Sequence, residues 1–296
     1  MKQTVPAALA LLAFDAHAHH LAGASPASAW IGAWNLEPWL IACLATAAAL
    51  YAAGLAKLWR RAGRGHGITI GAATRFALGW LTLLFALASP IDALGEALFW
   101  VHMIEHELLM VVAAPLLVTG RPLEAWTWAL PFAWRGALAR AGRARPPAAF
   151  WRALTDPIGA WTLHAIALWT WHVPFLFDAA VRNEGVHVAQ HASFLATALL
   201  FWWSVLARAR PAGRAMASLF TTMLHTGALG ALLTLAPTAW YASYRTTTAA
   251  FGLEPLEDQQ LGGLVMWVPA SLAYLAAALW IAGRWLSAPA VRQSRP

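Results

Sequence analysis

Two pairs of histidines stand four residues apart, His102 with His106 and His187 with His191. On a helix that spacing puts both imidazoles of a pair on one face, one turn apart. Imidazole nitrogen suits zinc, copper, iron and nickel, so each pair can bind one ion, or its two rings can serve different ions or a haem. His172 is a fifth candidate, and Glu105 falls within the same arc as His102 and His106. Met103, Met266 and Cys43 could add sulfur, which together with imidazole suits Cu(I). Asp258, His164 and His225 complete a secondary set of candidates. His102-x-x-Glu105-His106 also matches the H-x-x-E-H pattern of one zinc-peptidase class, in which the glutamate is the general base. Single sulfurs are commonly packing residues, and a lone intramembrane histidine often only hydrogen-bonds a neighbouring helix. Five imidazoles together read as a shared metal or cofactor site.

The elements that must position these residues are membrane helices. Apolar residues make up 60 % of the 296-residue chain and charged residues 11 %, against about 45–50 % and about 25 % in soluble domains. Nineteen tryptophans accompany this apolar composition, and indoles favour the headgroup boundary. A soluble enzyme and a disordered chain are excluded. The single cysteine rules out an internal disulfide and a Cys-x-x-Cys motif. Seven stretches are long and apolar enough to cross the bilayer as helices, at about 36–58, 74–90, 98–118, 158–178, 187–207, 214–236 and 258–284. The expected fold is an all-α polytopic membrane protein with seven transmembrane helices filling 36–286.

Residues 1–18 read as a cleavable signal peptide, with a basic start, a short apolar core and Ala16-His17-Ala18 at its end. Residues 19–35 then form a short periplasmic segment and 287–296 a cytoplasmic tail. All the basic residues except Lys2, Arg182 and Arg245 fall on one side of this arrangement. Loops rich in Lys and Arg stay in the cytoplasm, so the N-terminus is outside and the C-terminus inside. The net charge of +7 is thus a topology signal and calls for no nucleic acid. The basic segment 121–157 reads as an interfacial, partly helical cytoplasmic loop on anionic lipid. Acidic residues favour the outer loops, where a negative mouth would concentrate cations.

Depth sharpens the histidine set. At about 1.5 Å per residue, His102 and His106 lie about 6 and 12 Å below the outer end of their helix. His172 lies about 9 Å down, and His187 and His191 lie between the surface and about 8 Å. Five rings from three helices share one outer layer. His225 falls nearer the middle of the bilayer and His164 nearer its inner side.

The run His102-Met103-Ile104-Glu105-His106-Glu107-Leu108-Leu109-Met110, with Ala114-Pro115-Leu116-Leu117 and Gly120-Arg121-Pro122-Leu123 beyond it, resembles the CtaG-like family. These are membrane assembly factors of caa3-type cytochrome c oxidase. The likeness continues through Leu168-Trp169-Thr170-Trp171-His172-Val173-Pro174, His187, His191-Ala192-Ser193-Phe194-Leu195 and Phe201-Trp202-Trp203. It closes on Asp258-Gln259-Gln260-Leu261-Gly262-Gly263-Leu264-Val265-Met266-Trp267-Val268-Pro269. The resemblance implies a non-catalytic, seven-helix protein of the bacterial inner membrane that delivers copper to the oxidase metal centres. Copper ligation then carries over onto His102, His106, His172, His187 and His191, with oxidase subunits and a periplasmic copper donor as partners. Glu105 departs from the pattern, which leads one to expect a neutral amide there, and an ionised Glu105 would make the site more anionic. An unrelated single-span copper chaperone bears the same name, but it uses cysteine ligands that this chain lacks. A haem- or di-metal-binding membrane oxidoreductase is the competing reading, and an intramembrane metallopeptidase the third.

Overall fold

A computed structural model describes residues 33–206 and 211–287. The expected signal segment, most of the expected periplasmic segment 19–35 and nearly all of the cytoplasmic tail lie outside the described residues. The described residues form helices and the connections between them, with no strand. We number the helices α1 (Pro38–Ala62), α2 (Ile70–Ala88), α3 (Pro90–Ala97), α4 (Phe99–Glu107), α5 (Ala114–Thr119), α6 (Pro122–Ala129), α7 (Phe132–Arg143), α8 (Arg145–Thr155), α9 (Pro157–Trp171), α10 (Pro174–Arg182), α11 (Glu184–Leu206), α12 (Ala212–Thr234) and α13 (Pro255–Leu286). A π-helical stretch, Leu108–Ala113, joins α4 to α5.

Six helices among the described residues are long and apolar enough to cross a membrane: α1, α2, the continuous run Phe99–Thr119, α11, α12 and α13. Large apolar side chains such as Leu78, Leu81 and Phe85 on α2, and Leu272, Leu275 and Leu279 on α13, are exposed on the outside of the bundle. That outer face suits lipid and would be unstable in water.

The fourth expected span, 158–178, does not form one helix. It divides into α9, of 15 residues, and α10, of 9. Pro174 is the cause: it has no N–H to donate, and it pushes the residue before it out of helical geometry. Val173 accordingly sits in extended backbone at φ −65°, ψ 126°. The break places His172 at the end of α9 rather than inside a continuous span.

The basic segment, expected to be interfacial and partly helical, is built of α6, α7 and α8. Its first helix, α6, packs along α1, with Ala125 against Gly54, Trp126 Nε1 donating to Ala47 O at 3.0 Å and Lys57 Nζ donating to Ala129 O. Any side chain at Gly54 would run into the Ala125 carbonyl. Helix α7 has no buried residue.

Glycines set the closest helix packing. A Cβ at Gly263 would meet Gly230 O at 2.7 Å and the backbone nitrogen of Thr234, so α13 lies directly on α12. One residue earlier, a Cβ at Gly262 would strike the Phe99 ring and approach Met103 Cγ, so the same helix also abuts α4. The space that these two glycines leave is therefore filled by neighbouring helices.

A candidate metal centre of imidazoles and carboxylates

Helix α4 begins after Leu98, which is in extended backbone and supplies no cap of its own. The first N–H groups of a helix need acceptors, and their positive end favours an anion. Asp258, from the first turn of α13, provides both: its two oxygens accept from Phe99 N–H at 2.8 Å and Trp100 N–H at 3.1 Å. The register so anchored turns His102 and His106 inward, where they are 1 % and 2 % exposed. Below them the helix widens into the π-helical stretch, closed by Ala114 N–H donating to Leu109 O. Pro115 follows at once, and a proline crowds the carbonyl four residues before it. A wider turn accommodates that crowding, and the Met110 carbonyl accepts Trp202 Nε1–H at 2.8 Å.

The imidazoles of α4 and α11 converge. Ring centroids are 4.4 Å apart for His102 and His106, 5.1 Å for His106 and His191, and 5.6 Å for His102 and His191. One ligand nitrogen from each of these three lies within 4.8 Å of the others. His187 stands 4.1 Å from His191 and 5.3 Å from His102, centroid to centroid. His172 is the outlying member, 6.2 Å from His106, with Nδ1 held by Leu168 O at 2.7 Å and Nε2 left over. Neither ring nitrogen of His102 or of His106 has a hydrogen-bond partner, and neither do Nε2 of His187 and of His191. Buried polar atoms are normally paired, and unpaired ones mark strain or a ligand site. Three neutral imidazoles with free nitrogens are a donor set that fits copper or zinc.

Carboxylates adjoin this group. Asp92, Glu105, His187 and His191 also place one ligand atom each within 4.8 Å of one another. Glu105 is fully buried, with His191 Nδ1 3.5 Å from its Oε1 and neither carboxylate oxygen hydrogen-bonded. Asp92, on α3 outside the spans, accepts from Asn35 Nδ2 at 2.9 Å. Burial pushes its carboxyl up to about 6, while the Asn35 bond pulls it down. Asp92 was not among the expected ligands. Its one sequence signal was membership of the acidic outer loops, which says nothing about direction. Gln190 was missed as well: it is fully buried beside His102.

Aromatic side chains wall the centre. Phe177 of α10 lies 5.0 Å from the His102 ring, and Phe194 of α11 lies 4.7 Å from that of His106. Behind Phe177 stand Phe99 and Tyr241, the latter 4.4 Å away. The connection between α12 and α13 folds over this wall. Tyr244 donates to Gly95 O at 2.8 Å, Thr247 to Ala97 O at 2.7 Å and Tyr241 to His172 O at 3.1 Å. Asp178 of α10 accepts from the N–H groups of Ala242 and Ser243.

The remaining candidates stand apart. Both oxygens of Asp258 are engaged in capping α4. Met103 and Met266 are buried in the apolar core, and neither is needed to explain an unpaired polar atom. Cys43 is exposed on α1. His164 pairs with Thr197 Oγ1 at 3.1 Å and stacks on Phe201, while His225 packs edge-on to Trp161. Neither His164 nor His225 belongs to either ligand group.

Comparison with known proteins is consistent with this architecture. The chain is 28 % identical over 269 residues to an uncharacterized protein of Mycobacterium bovis and to one of Mycobacterium tuberculosis, covering 85 % of this chain and 39 % of each relative. It is 26 % identical over 252 residues to an uncharacterized protein of Mycobacterium leprae, covering 79 % of this chain and 37 % of that one. The chain thus spans about two fifths of the length of the curated relatives it matches. No solved structure matches it. The sequence profile of the cytochrome c oxidase caa3 assembly factor family, Caa3_CtaG, matches residues 49–288, most of the chain, with all the histidine and carboxylate candidates inside it and Cys43 outside. The protein belongs to the caa3 cytochrome c oxidase assembly factor family.

Proposed function

We propose that this protein assists assembly of a caa3-type cytochrome c oxidase by holding a copper ion and passing it to an oxidase subunit. One observation carries the reading: nitrogens of His102, His106 and His191 lie within 4.8 Å of one another, and both ring nitrogens of His106 are without a hydrogen-bond partner. Copper is cargo here, not a resident cofactor. A neutral set of imidazoles matches monovalent copper, because it adds no charge for the apolar interior to bear. His187 and His172 stand at the edge of the trio, where one ring can replace another as the ion moves. Transfer by ligand replacement needs no bond-making chemistry from the protein, which fits a non-catalytic role.

The basic residues support an orientation with the start of α1 outside and the end of α13 in the cytoplasm. In that frame α9 and α10 together make the seventh crossing, and the ligand layer opens toward the outer face of a bacterial inner membrane. A periplasmic copper donor and an oxidase subunit would then meet the same end of the bundle.

The test is deletion in the native host, followed by redox difference spectra of membranes grown with and without added copper. Loss of the a-type haem signal is expected, with recovery under excess copper. An unchanged oxidase spectrum in the deletion strain would overturn the reading.

A further inference from the structure

Beside the imidazole trio, the geometry points to a second, chemically different cation site, formed by Asp92, Glu105 and His187 with His191 shared between the two. Its ligand atoms, two carboxylate oxygens and two imidazole nitrogens, lie within 4.8 Å of one another. Glu105 is 0 % exposed and neither of its oxygens has a hydrogen-bond partner; Nε2 of His187 is unpartnered as well. A buried carboxylate without a donor is costly unless a cation or a proton answers it. Asp92 accepts from Asn35 Nδ2 at Oδ2, which orients the carboxylate, and one of its oxygens belongs to the ligand group. His191 can serve both sites because its two nitrogens face different edges of the ring. Nδ1 is on the Glu105 side, 3.5 Å from Oε1, and Nε2 is free.

Charge separates the two sites. Two carboxylates balance a divalent ion, whereas three neutral imidazoles balance nothing and favour a soft monovalent one. Oxygen with nitrogen is the donor set of Mn2+, Fe2+ and Zn2+. Asp92 and His187 are half-buried where the trio is fully buried, so the mixed site lies nearer the rim. This second site is independent of any role in oxidase assembly.

The experiment uses the full chain purified in detergent, with Mn2+ followed by loss of the free-ion EPR signal. Cu(I), kept reduced with ascorbate, is followed by competition with a chromogenic chelator. Asp92→Asn should weaken Mn2+ binding by about tenfold or more and leave Cu(I) affinity unchanged. His106→Ala should do the reverse. Pulsed EPR of Mn2+ on the unaltered protein should show coupling to imidazole nitrogen, a measurement that needs no variant to fold. Failure to retain Mn2+, bound Mn2+ without nitrogen coupling, or parallel loss of both ions in both variants would overturn the second site. None of these readouts depends on the oxidase spectrum.

Discussion

Asp258 accepts hydrogen bonds from the main chain of Phe99 at 2.8 Å, across 159 residues of sequence, and so ties the first turn of α13 to the first turn of α4. The helix that carries His102, Glu105 and His106 is therefore started by a side chain from the far end of the protein. Removing it leaves the buried N–H of Phe99 unpaired, at a cost of about 1–3 kcal/mol, and the half-buried N–H of Trp100 as well. Asp258→Ala should lower the thermal midpoint in detergent and reduce copper retention together. Asp258→Asn, which keeps one acceptor oxygen, should fall between the two. Full copper retention in Asp258→Ala would show that α4 needs no such anchor.

Combined His102→Ala and His106→Ala removes two of the three convergent rings. Copper retained after purification should fall to background while membrane insertion and yield persist, because the apolar faces of the helices, not these two rings, hold them in the bilayer. Metal content measured beside a size-exclusion profile decides this. Unchanged copper stoichiometry would remove the trio as the binding site.

Glu105→Gln separates a copper carrier from a zinc peptidase. A general base cannot be an amide, so peptidase activity would vanish. Copper carriage through imidazoles should persist, with Cu(I) affinity and oxidase maturation close to the unaltered protein. Loss of oxidase maturation with normal Cu(I) binding would point instead to the carboxylate.

Glycine packing predicts an asymmetry along α13. Gly263→Ala must push against the Gly230 carbonyl and the Thr234 backbone, neither of which can swing aside, and overpacking of this kind costs about 1–3 kcal/mol. Gly283→Ala meets nothing within 4 Å and should be neutral or stabilising by up to about 1 kcal/mol. Thermal unfolding of the two variants in one detergent makes the comparison. Equal midpoints would contradict the close contact of α12 with α13.

Tyr244→Phe tests the cover over the site. It removes the hydrogen bond to Gly95 O at 2.8 Å while keeping the ring against Phe99, a loss of about 1 kcal/mol. Copper release to a competing chelator should quicken, and equilibrium affinity should change less than the rate. An unaltered release rate would mean that the connection between α12 and α13 does not gate the site.

Sequence alone determined what depends on local periodicity. Apolar runs set the long helices to within a few residues, since length and hydropathy are properties of each segment by itself. The four-residue spacing put His102 beside His106 and His187 beside His191, because 3.6 residues complete a turn whatever the neighbours are. The break at Pro174 is legible too, although the apolar run continues through it. Only tertiary structure decided which faces meet. That α4 and α11 bring three rings together, that Asp258 serves as a cap, that Cys43 faces outward and that Asp92 enters the ligand cluster all follow from lateral packing. Such packing is settled by contacts far apart in sequence, Gly230 with Gly263 and Asp258 with Phe99 among them, and no window along the chain contains both partners.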